Sequence, residues 1–144
     1  EGIAGKPMFR EALKRRRALV PADGFYEWKA AGKAKTPWHF RLAGGGPFAF
    51  AGIWERREAP GAEPLETFAI LTTEANALVG EVHARMPVIL DGEAEALWRR
   101  AGALSADELA RCVRPYDAAA MEAWPVSTWV NAPGREGPRC VERG

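Results

Sequence analysis

Cysteine and histidine are both scarce in this chain, which has two of each among its 144 residues. Cys112 and Cys140 are too few to build a disulfide framework, so we expect a reducing, cytoplasmic setting. The two histidines, His39 and His83, and the two cysteines lie far apart, without the short spacing typical of zinc sites. We therefore expect no metal ion and no other cofactor.

Long hydrophobic runs and the common nucleotide and nucleophile motifs are absent as well. A membrane-spanning helix needs roughly 20 apolar residues, whereas the longest apolar candidates, 48–54 and 68–71, are of strand length. The sequence has no Gly-rich phosphate loop, no Cys-x-x-Cys pair and no Gly-x-Ser-x-Gly elbow. We therefore expect neither a membrane-spanning segment nor nucleotide hydrolysis.

The net charge is only +1, yet positive charge is concentrated in the first part of the chain. Residues 1–60 hold 12 Lys and Arg against 6 Asp and Glu, whereas residues 61–144 hold 8 against 13. A basic segment suggests a partner that bears phosphate groups. A solvated helix face, such as that carrying Lys14, Arg15, Arg16 and Arg17, would give the same count. The composition alone leaves both interpretations open.

Apolar periodicity and turn residues predict short helices alternating with strands. We expect helices over 7–17, around 97–104 and from Ser105 onward, where Ser105 and Glu108 form a capping-box pattern. Strands are expected at 18–21, 25–29, 37–42, 47–55, 67–73, 85–90 and 125–130. The triple glycine at 44–46 predicts a hairpin turn, and residues 132–144 read as a Pro/Gly-rich tail. The sum is a single α+β domain over residues 1–144, with mostly antiparallel strands.

Glu27 is the first candidate for chemistry, because it lies in a strand between aromatic residues. Burial beside Phe25, Tyr26 and Trp28 would raise the pKa of its carboxyl group and suit it to proton transfer near neutral pH. Strand alternation alone, however, favours a solvent-facing Glu27. Trp28 could stack on an unpaired nucleic-acid base.

His83 is the second candidate, since an imidazole can exchange a proton at physiological pH. Arg85 lies two residues further on and could hold a phosphate group through two hydrogen bonds. Taken alone, both residues also fit an ordinary surface loop. His39 is expected to be a half-exposed strand residue, and Cys140 an inert cysteine of the tail.

Four segments together resemble one protein family in their order and spacing. They are Ala-Asp-Gly-Phe-Tyr-Glu-Trp at 22–28, Phe-Ala-Phe-Ala-Gly-Ile-Trp-Glu at 48–55, Ile-Leu-Thr-Thr-Glu-Ala-Asn at 70–76 and His-Ala-Arg-Met-Pro-Val-Ile-Leu at 83–90. That family is the SOS response-associated peptidase (SRAP) domain, and the resemblance runs from Glu1 to about Glu142. Its most specific motifs are Gly-Phe-Tyr-Glu-Trp and His-x-Arg-Met-Pro.

The resemblance implies a function and a set of site residues. Family members bind abasic sites in single-stranded DNA and form a covalent thiazolidine crosslink through an N-terminal cysteine, which is exposed when the domain removes its own initiator methionine. By this resemblance Glu27 and His83 are catalytic. Glu27 assists methionine removal and proton movement at the amine, and His83 acts as acid and base on the sugar. Trp28, Arg85 and Thr72 are then the DNA-binding positions.

The resemblance also implies that the family's nucleophile lies upstream of Glu1. Neither Cys112 nor Cys140 can replace it, because the reaction uses an α-amine and a thiol of the same residue. We therefore expect the SRAP domain to be N-terminally incomplete here, and these 144 residues alone to be unable to crosslink DNA.

Further expectations concern the fold, the partner and the alternatives. The resemblance implies a partly open, barrel-like sheet with peripheral helices, in a monomeric, cytoplasmic and nucleoid-associated protein whose partner is single-stranded DNA with abasic sites. The main alternative is a non-catalytic module that binds single-stranded nucleic acid by charge and stacking. An interaction domain with no nucleic-acid partner is a third possibility.

Overall fold

The computed structural model describes residues 7–32 and 34–144. Its helices are α1 (Pro7–Arg15), α2 (Ala77–Gly80), α3 (Gly92–Arg99) and α4 (Ala106–Cys112). Its strands are β1 (Arg17–Ala22), β2 (Phe25–Ala31), β3 (Ala34–Leu42), β4 (Phe48–Arg57), β5 (Leu65–Ile70), β6 (Thr72–Glu74), β7 (Arg85–Pro87), β8 (Ile89–Leu90) and β9 (Met121–Pro125).

The chain forms two compact units, each made of segments that are distant in sequence. The first contains the described residues up to Pro21 together with Ala49–Thr73 and Pro87–Pro115. The second contains Ala22–Phe48, Glu74–Met86 and Tyr116–Gly144.

The first unit is built on a sheet in the order β1-β4-β5, with β8 also pairing with β4. The β4–β5 and β4–β8 pairs are antiparallel. Trp98 of α3 is 1% exposed, and its indole N–H is shared by the carbonyl oxygens of Ala18 and Gly52, at 3.0 and 3.2 Å. One buried side chain therefore fastens α3 to both β1 and β4.

Helices α3 and α4 begin where their capping residues predict. The Asp91 side chain accepts a hydrogen bond from the backbone N–H of Ala94 at the start of α3. Ser105 and Glu108 form the predicted capping box of α4, each side chain accepting from the other's backbone N–H. Cys112 is buried on the inner side of α4 and belongs to the hydrophobic core of this unit. The predicted continuation of α3 beyond residue 99 is wrong, because the helix ends at Arg99.

The second unit is built on the antiparallel sheet β2-β3-β9. Strands β2 and β3 form a hairpin whose register runs from Phe25 opposite Phe40 to Ala31 opposite Ala34. The turn includes Gly32 with φ of 60°, a value that glycine adopts without the penalty of a side chain. The predicted hairpin turn at 44–46 is wrong, because β3 pairs with β2 and β9, whereas β4 belongs to the other sheet.

The last part of the chain also differs from its predicted structure. The final strand is β9 rather than 125–130, because Ser127 caps a 3-10 turn at Thr128–Asn131 that ends the extended stretch. The tail beyond residue 132 packs on β9. The indole N–H of Trp124 donates to the carbonyl oxygen of Val141 at 2.9 Å, and the backbone N–H of Gly144 donates to the carbonyl oxygen of Pro125 at 3.0 Å.

The α+β class and the antiparallel pairing are confirmed. In the part of the chain that the structure describes, the strands form three separate sheets that are not closed into a barrel. None of the described helices has the length and apolar character needed to cross a membrane.

Replacing Trp98 by phenylalanine should lower the free energy of unfolding by about 2–4 kcal/mol, because a cavity forms and the shared indole donor is lost. The same replacement at Trp54, which is 37% exposed, is the matched control and should cost less than about 0.5 kcal/mol. Chemical denaturation of the two variants measures the difference. Equal losses would contradict the role given to Trp98.

Candidate active site

Glu27 lies in the middle of β2, where pairing with β3 places it opposite Trp38. Neighbouring aromatic residues pack this hairpin: Phe25 stacks on Phe40 with ring centroids 5.1 Å apart. The Glu27 side chain is 24% exposed. The side chain is therefore partly buried, rather than fully solvent-facing as strand alternation alone favours.

His83 is positioned by the short helix α2, and this helix is capped by Asn76. The Asn76 side-chain oxygen accepts the backbone N–H of Val79 at 2.9 Å, and its amide donates to the carbonyl oxygen of Tyr116 at 2.8 Å. The backbone N–H of His83 then donates to the carbonyl oxygen of Val79 at 2.9 Å. Asn76 thus anchors the segment that ends at His83.

The structure brings His83 and Glu27 together. His83 Nδ1 lies 3.8 Å from Glu27 Oε2, and the His83 side chain is 48% exposed. The same nitrogen lies 2.9 Å from the carbonyl oxygen of Arg85 and 3.2 Å from its backbone nitrogen. A protonated Nδ1 can donate to the carbonyl oxygen, whereas an unprotonated Nδ1 can accept the N–H. The Arg85 backbone therefore offers a partner to either protonation state of this nitrogen.

Burial controls the electrostatics of Glu27. Desolvation raises the pKa of its carboxyl group above the ordinary value of about 4.5, and the nearby His83 acts in the opposite direction. The carboxyl group therefore holds its proton more tightly than an exposed glutamate does. A carboxyl group with a raised pKa beside an imidazole is an arrangement suited to moving protons.

Trp28 lies next to Glu27 and is exposed. Its indole N–H donates to the side-chain oxygen of Asn131 at 2.8 Å. This bond fixes the orientation of the ring while leaving it accessible. Asn131 was not a predicted site residue, and no local pattern could have identified it, because its contact with Trp28 spans 103 residues.

The two remaining predicted site residues, Arg85 and Thr72, lie in different compact units. Arg85 is exposed at the start of β7, and its backbone contacts the His83 ring. Thr72 is exposed at the start of β6 and belongs to the first compact unit. The second unit therefore contains Glu27, Trp28, His83 and Arg85.

His39 is buried at 6% exposure, so its predicted half-exposed position is wrong. Its ring contacts Tyr26 and Trp124, with centroids 5.2 and 5.0 Å away. Burial lowers the pKa of His39, which favours the neutral ring. We therefore assign His39 to the packing of the β2-β3-β9 sheet. Within residues 7–32 and 34–144, no three His, Cys, Asp or Glu side chains are grouped so as to hold a metal ion.

Replacing His83 by alanine should raise the pKa of Glu27 further, because the substitution removes the group that opposes the effect of burial. Carboxyl ¹³C NMR over a pH series measures this shift. An unchanged or lowered Glu27 pKa in His83→Ala would contradict the electrostatic contact.

The raised pKa of Glu27 also predicts how stability depends on pH. The pKa of Glu27 is higher in the folded state than in the unfolded state. Its contribution to the free energy of unfolding is therefore complete below about pH 4.5 and is lost as pH rises through the folded-state pKa. The stability of Glu27→Gln relative to the unsubstituted chain should therefore increase with pH over this range. Urea unfolding at several pH values tests the sign, and a decrease would contradict it.

Comparison with known proteins agrees with the residue pattern. The family model described as "SOS response associated peptidase (SRAP)" matches residues 1–133. The chain is 42% identical over 143 residues to the abasic site processing protein YoqW of Bacillus subtilis, covering 99% of this chain and 64% of that protein. It is 35% identical over 149 residues to the abasic site processing protein HMCES of Gallus gallus, covering 90% of this chain and 44% of that protein.

Solved structures show the same relationship. A protein from Bacteroides thetaiotaomicron superposes with a TM-score of 0.89 at 32% identity, covering 99% of this chain and 63% of that one. A protein from Bordetella bronchiseptica gives 0.75 at 28% identity, covering 88% and 62%. The chain thus spans about 64% of the length of the first curated relative. From the family match and these identities, the chain belongs to the SOS response associated peptidase (SRAP) family.

Proposed function

We propose that this chain is part of a protein that processes abasic sites in single-stranded DNA by forming a covalent crosslink. The observation that carries the proposal is the pairing of Glu27 with His83, 3.8 Å apart, in which the Glu27 carboxyl group has a raised pKa. The names of the relatives, which are abasic site processing proteins, support the choice of substrate. The proposed partner is DNA, and the proposed setting is a monomer associated with the nucleoid.

The proposed chemistry begins with an N-terminal cysteine that is not among these 144 residues. The protein itself removes the initiator methionine by hydrolysis, and this exposes the cysteine α-amine. The neutral amine attacks the aldehyde carbon of the ring-opened abasic sugar, and loss of one water gives an imine. The thiol then adds to the imine carbon and its proton goes to the nitrogen, which closes a thiazolidine. The crosslink as a whole releases one water.

Glu27 and His83 have complementary roles in this scheme. Glu27 accepts a proton as the amine becomes neutral and returns it to the oxygen that departs as water. His83 exchanges a proton with the ring oxygen of the sugar, which opens the ring, and acts again when the crosslink reverses. The contacts of His83 with the Arg85 backbone suit this cycle, since each protonation state of Nδ1 has a partner.

The first experiment compares this chain with a version extended upstream to the initiator methionine. Each is incubated with single-stranded DNA bearing one abasic site, and with the same strand carrying an intact base. Intact mass should show an adduct only for the extended protein with abasic DNA, equal to the sum of the two masses less one water. An extended protein that forms no adduct would overturn the proposal.

The second experiment tests the two catalytic roles in the extended protein. Glu27→Gln and His83→Ala should each slow formation or reversal of the crosslink by about a hundredfold, the usual effect of losing a general acid or base. Glu63→Gln is the matched control, because Glu63 is an exposed residue of the loop between β4 and β5. Wild-type rates in both site variants would contradict the assignment.

A non-catalytic module that binds single-stranded nucleic acid is the second candidate, and the exposed ring of Trp28 favours it. It predicts weak binding that depends strongly on salt and shows no preference for abasic sites. Titration of intact and abasic strands at several salt concentrations separates the two functions. Binding insensitive to salt would exclude this candidate.

A further inference from the structure

A second group of aromatic and basic residues lies in the same compact unit as Glu27 and His83. It surrounds an open cavity of about 400 Å³ formed by the 3-10 turn and the segment that follows it. The residues that line it are Ser127, Thr128, Trp129, Asn131, Ala132, Arg135 and Arg139. The predicted function makes no use of Trp129 or of the two arginines.

Two positive charges converge on Trp129. The guanidinium carbons of Arg135 and Arg139 lie 3.7 and 4.3 Å from the centroid of its ring. Among the residues that the structure describes, neither arginine forms a salt bridge with a carboxylate. By contrast, Arg100 contacts both carboxylate oxygens of Glu108 at 2.7 Å. No carboxylate of the described residues therefore neutralises Arg135 or Arg139, and both guanidinium groups can pair with an anionic ligand.

The geometry of the cluster suits an anion such as a phosphate group. A guanidinium group stacked on an aromatic ring keeps its N–H donors at its edge, where they match the oxygens of a phosphate. The indole Nε1 of Trp129 is buried and has no hydrogen-bond partner among the described residues. Two guanidinium groups and the hydroxyl of Thr128 at one cavity form a donor-rich site for an anion.

The cavity is connected to the candidate active site through Asn131. This residue lines the cavity, and its side-chain oxygen accepts the indole N–H of Trp28. Trp28 is the neighbour of Glu27 in β2. A strand whose abasic sugar lies at Glu27 and His83 could then extend along Trp28 and Asn131 toward the arginines. An open cavity suits a continuous strand, which must enter and leave the site.

We propose that Trp129, Arg135 and Arg139 form a subsite for a phosphodiester of the DNA strand that flanks the abasic site. This inference rests on the proposed function, because it takes single-stranded DNA as the ligand. It adds to that function a determinant of strand binding that is separate from the Glu27–His83 pair.

The experiment uses the full-length protein and a strand carrying a tetrahydrofuran abasic analogue, which has no aldehyde and cannot crosslink. Fluorescence anisotropy gives the dissociation constant at several salt concentrations. Each phosphate contact to single-stranded DNA contributes about 0.7 to the slope of log affinity against log salt. The double variant Arg135→Gln/Arg139→Gln should lower this slope by about 0.7–1.4 and weaken binding about tenfold at low salt.

The double variant Arg135→Lys/Arg139→Lys is the matched control, since it keeps both charges. It should preserve the salt slope. Any remaining loss of affinity then measures what the planar guanidinium groups contribute through paired hydrogen bonds and through stacking on Trp129. A glutamine variant with the slope and affinity of the unsubstituted protein would overturn the subsite. Absence of DNA binding by the unsubstituted protein would instead overturn the proposed function, and the subsite with it.

Changing the DNA provides a test that does not depend on the folding of any variant. Neutral methylphosphonate linkages are introduced one at a time on either side of the abasic analogue. At one or two flanking positions, the neutral linkage should weaken binding of the unsubstituted protein about tenfold. The same linkage should have little effect on a folded glutamine variant. Equal affinity for all methylphosphonate strands would contradict a phosphodiester subsite.

Discussion

The candidate active site depends on holding a partly buried carboxylate close to an imidazole. Two local devices achieve this. The β2–β3 register places Glu27 on a strand packed with aromatic residues, and the Asn76 cap fixes the short helix α2 that precedes His83. Because Asn76 also donates to the backbone of Tyr116, the His83 segment is tied to a part of the chain 40 residues further on. Both sets of contacts therefore help to position the two side chains.

This arrangement has an energetic cost that is consistent with function. Covering a carboxylate raises its pKa and makes its charged form less favourable, so stability alone would not select Glu27 at this position. The partner is a histidine, which neutralises the carboxylate only when it is protonated. A permanently charged arginine would stabilise the carboxylate more fully and would lower its pKa rather than leave it raised. Groups whose pKa is shifted in this way concentrate at functional sites.

Whether a structural feature could be predicted from the sequence depended mainly on how far apart in the chain its interacting residues lie. The Ser105–Glu108 capping box and the strand containing Glu27 depend on neighbouring residues, and both were predicted. The hairpin expected at the triple glycine was wrong, because glycine permits a turn without determining which strands pair. The apolar pattern predicted the final strand at 125–130. The Ser127 cap favours a 3-10 turn in that segment, and the final strand is β9 instead.

The site shows the same distinction between local and long-range contacts. Glu27 and His83 could be nominated from their motifs, but their contact joins segments 56 positions apart and required the fold. The Trp28–Asn131 bond also joins distant segments, and the contacts of Arg135 and Arg139 with Trp129 involve the segment read as a Pro/Gly-rich tail. Composition indicated little structure there, yet the tail is held by hydrogen bonds from Trp124 and Tyr26. The roles of Glu27 and His83 remain predictions.

The central claim is that Glu27 and His83 act as one proton-transferring pair, and a double-mutant cycle on the rate of crosslinking tests it most directly. The rates of the full-length protein, Glu27→Gln, His83→Ala and the double variant are measured with abasic single-stranded DNA. Groups that act as a unit have non-additive effects. We expect the double variant to be little slower than the slower single variant. A double variant whose rate loss equals the product of the two single losses would contradict the pair.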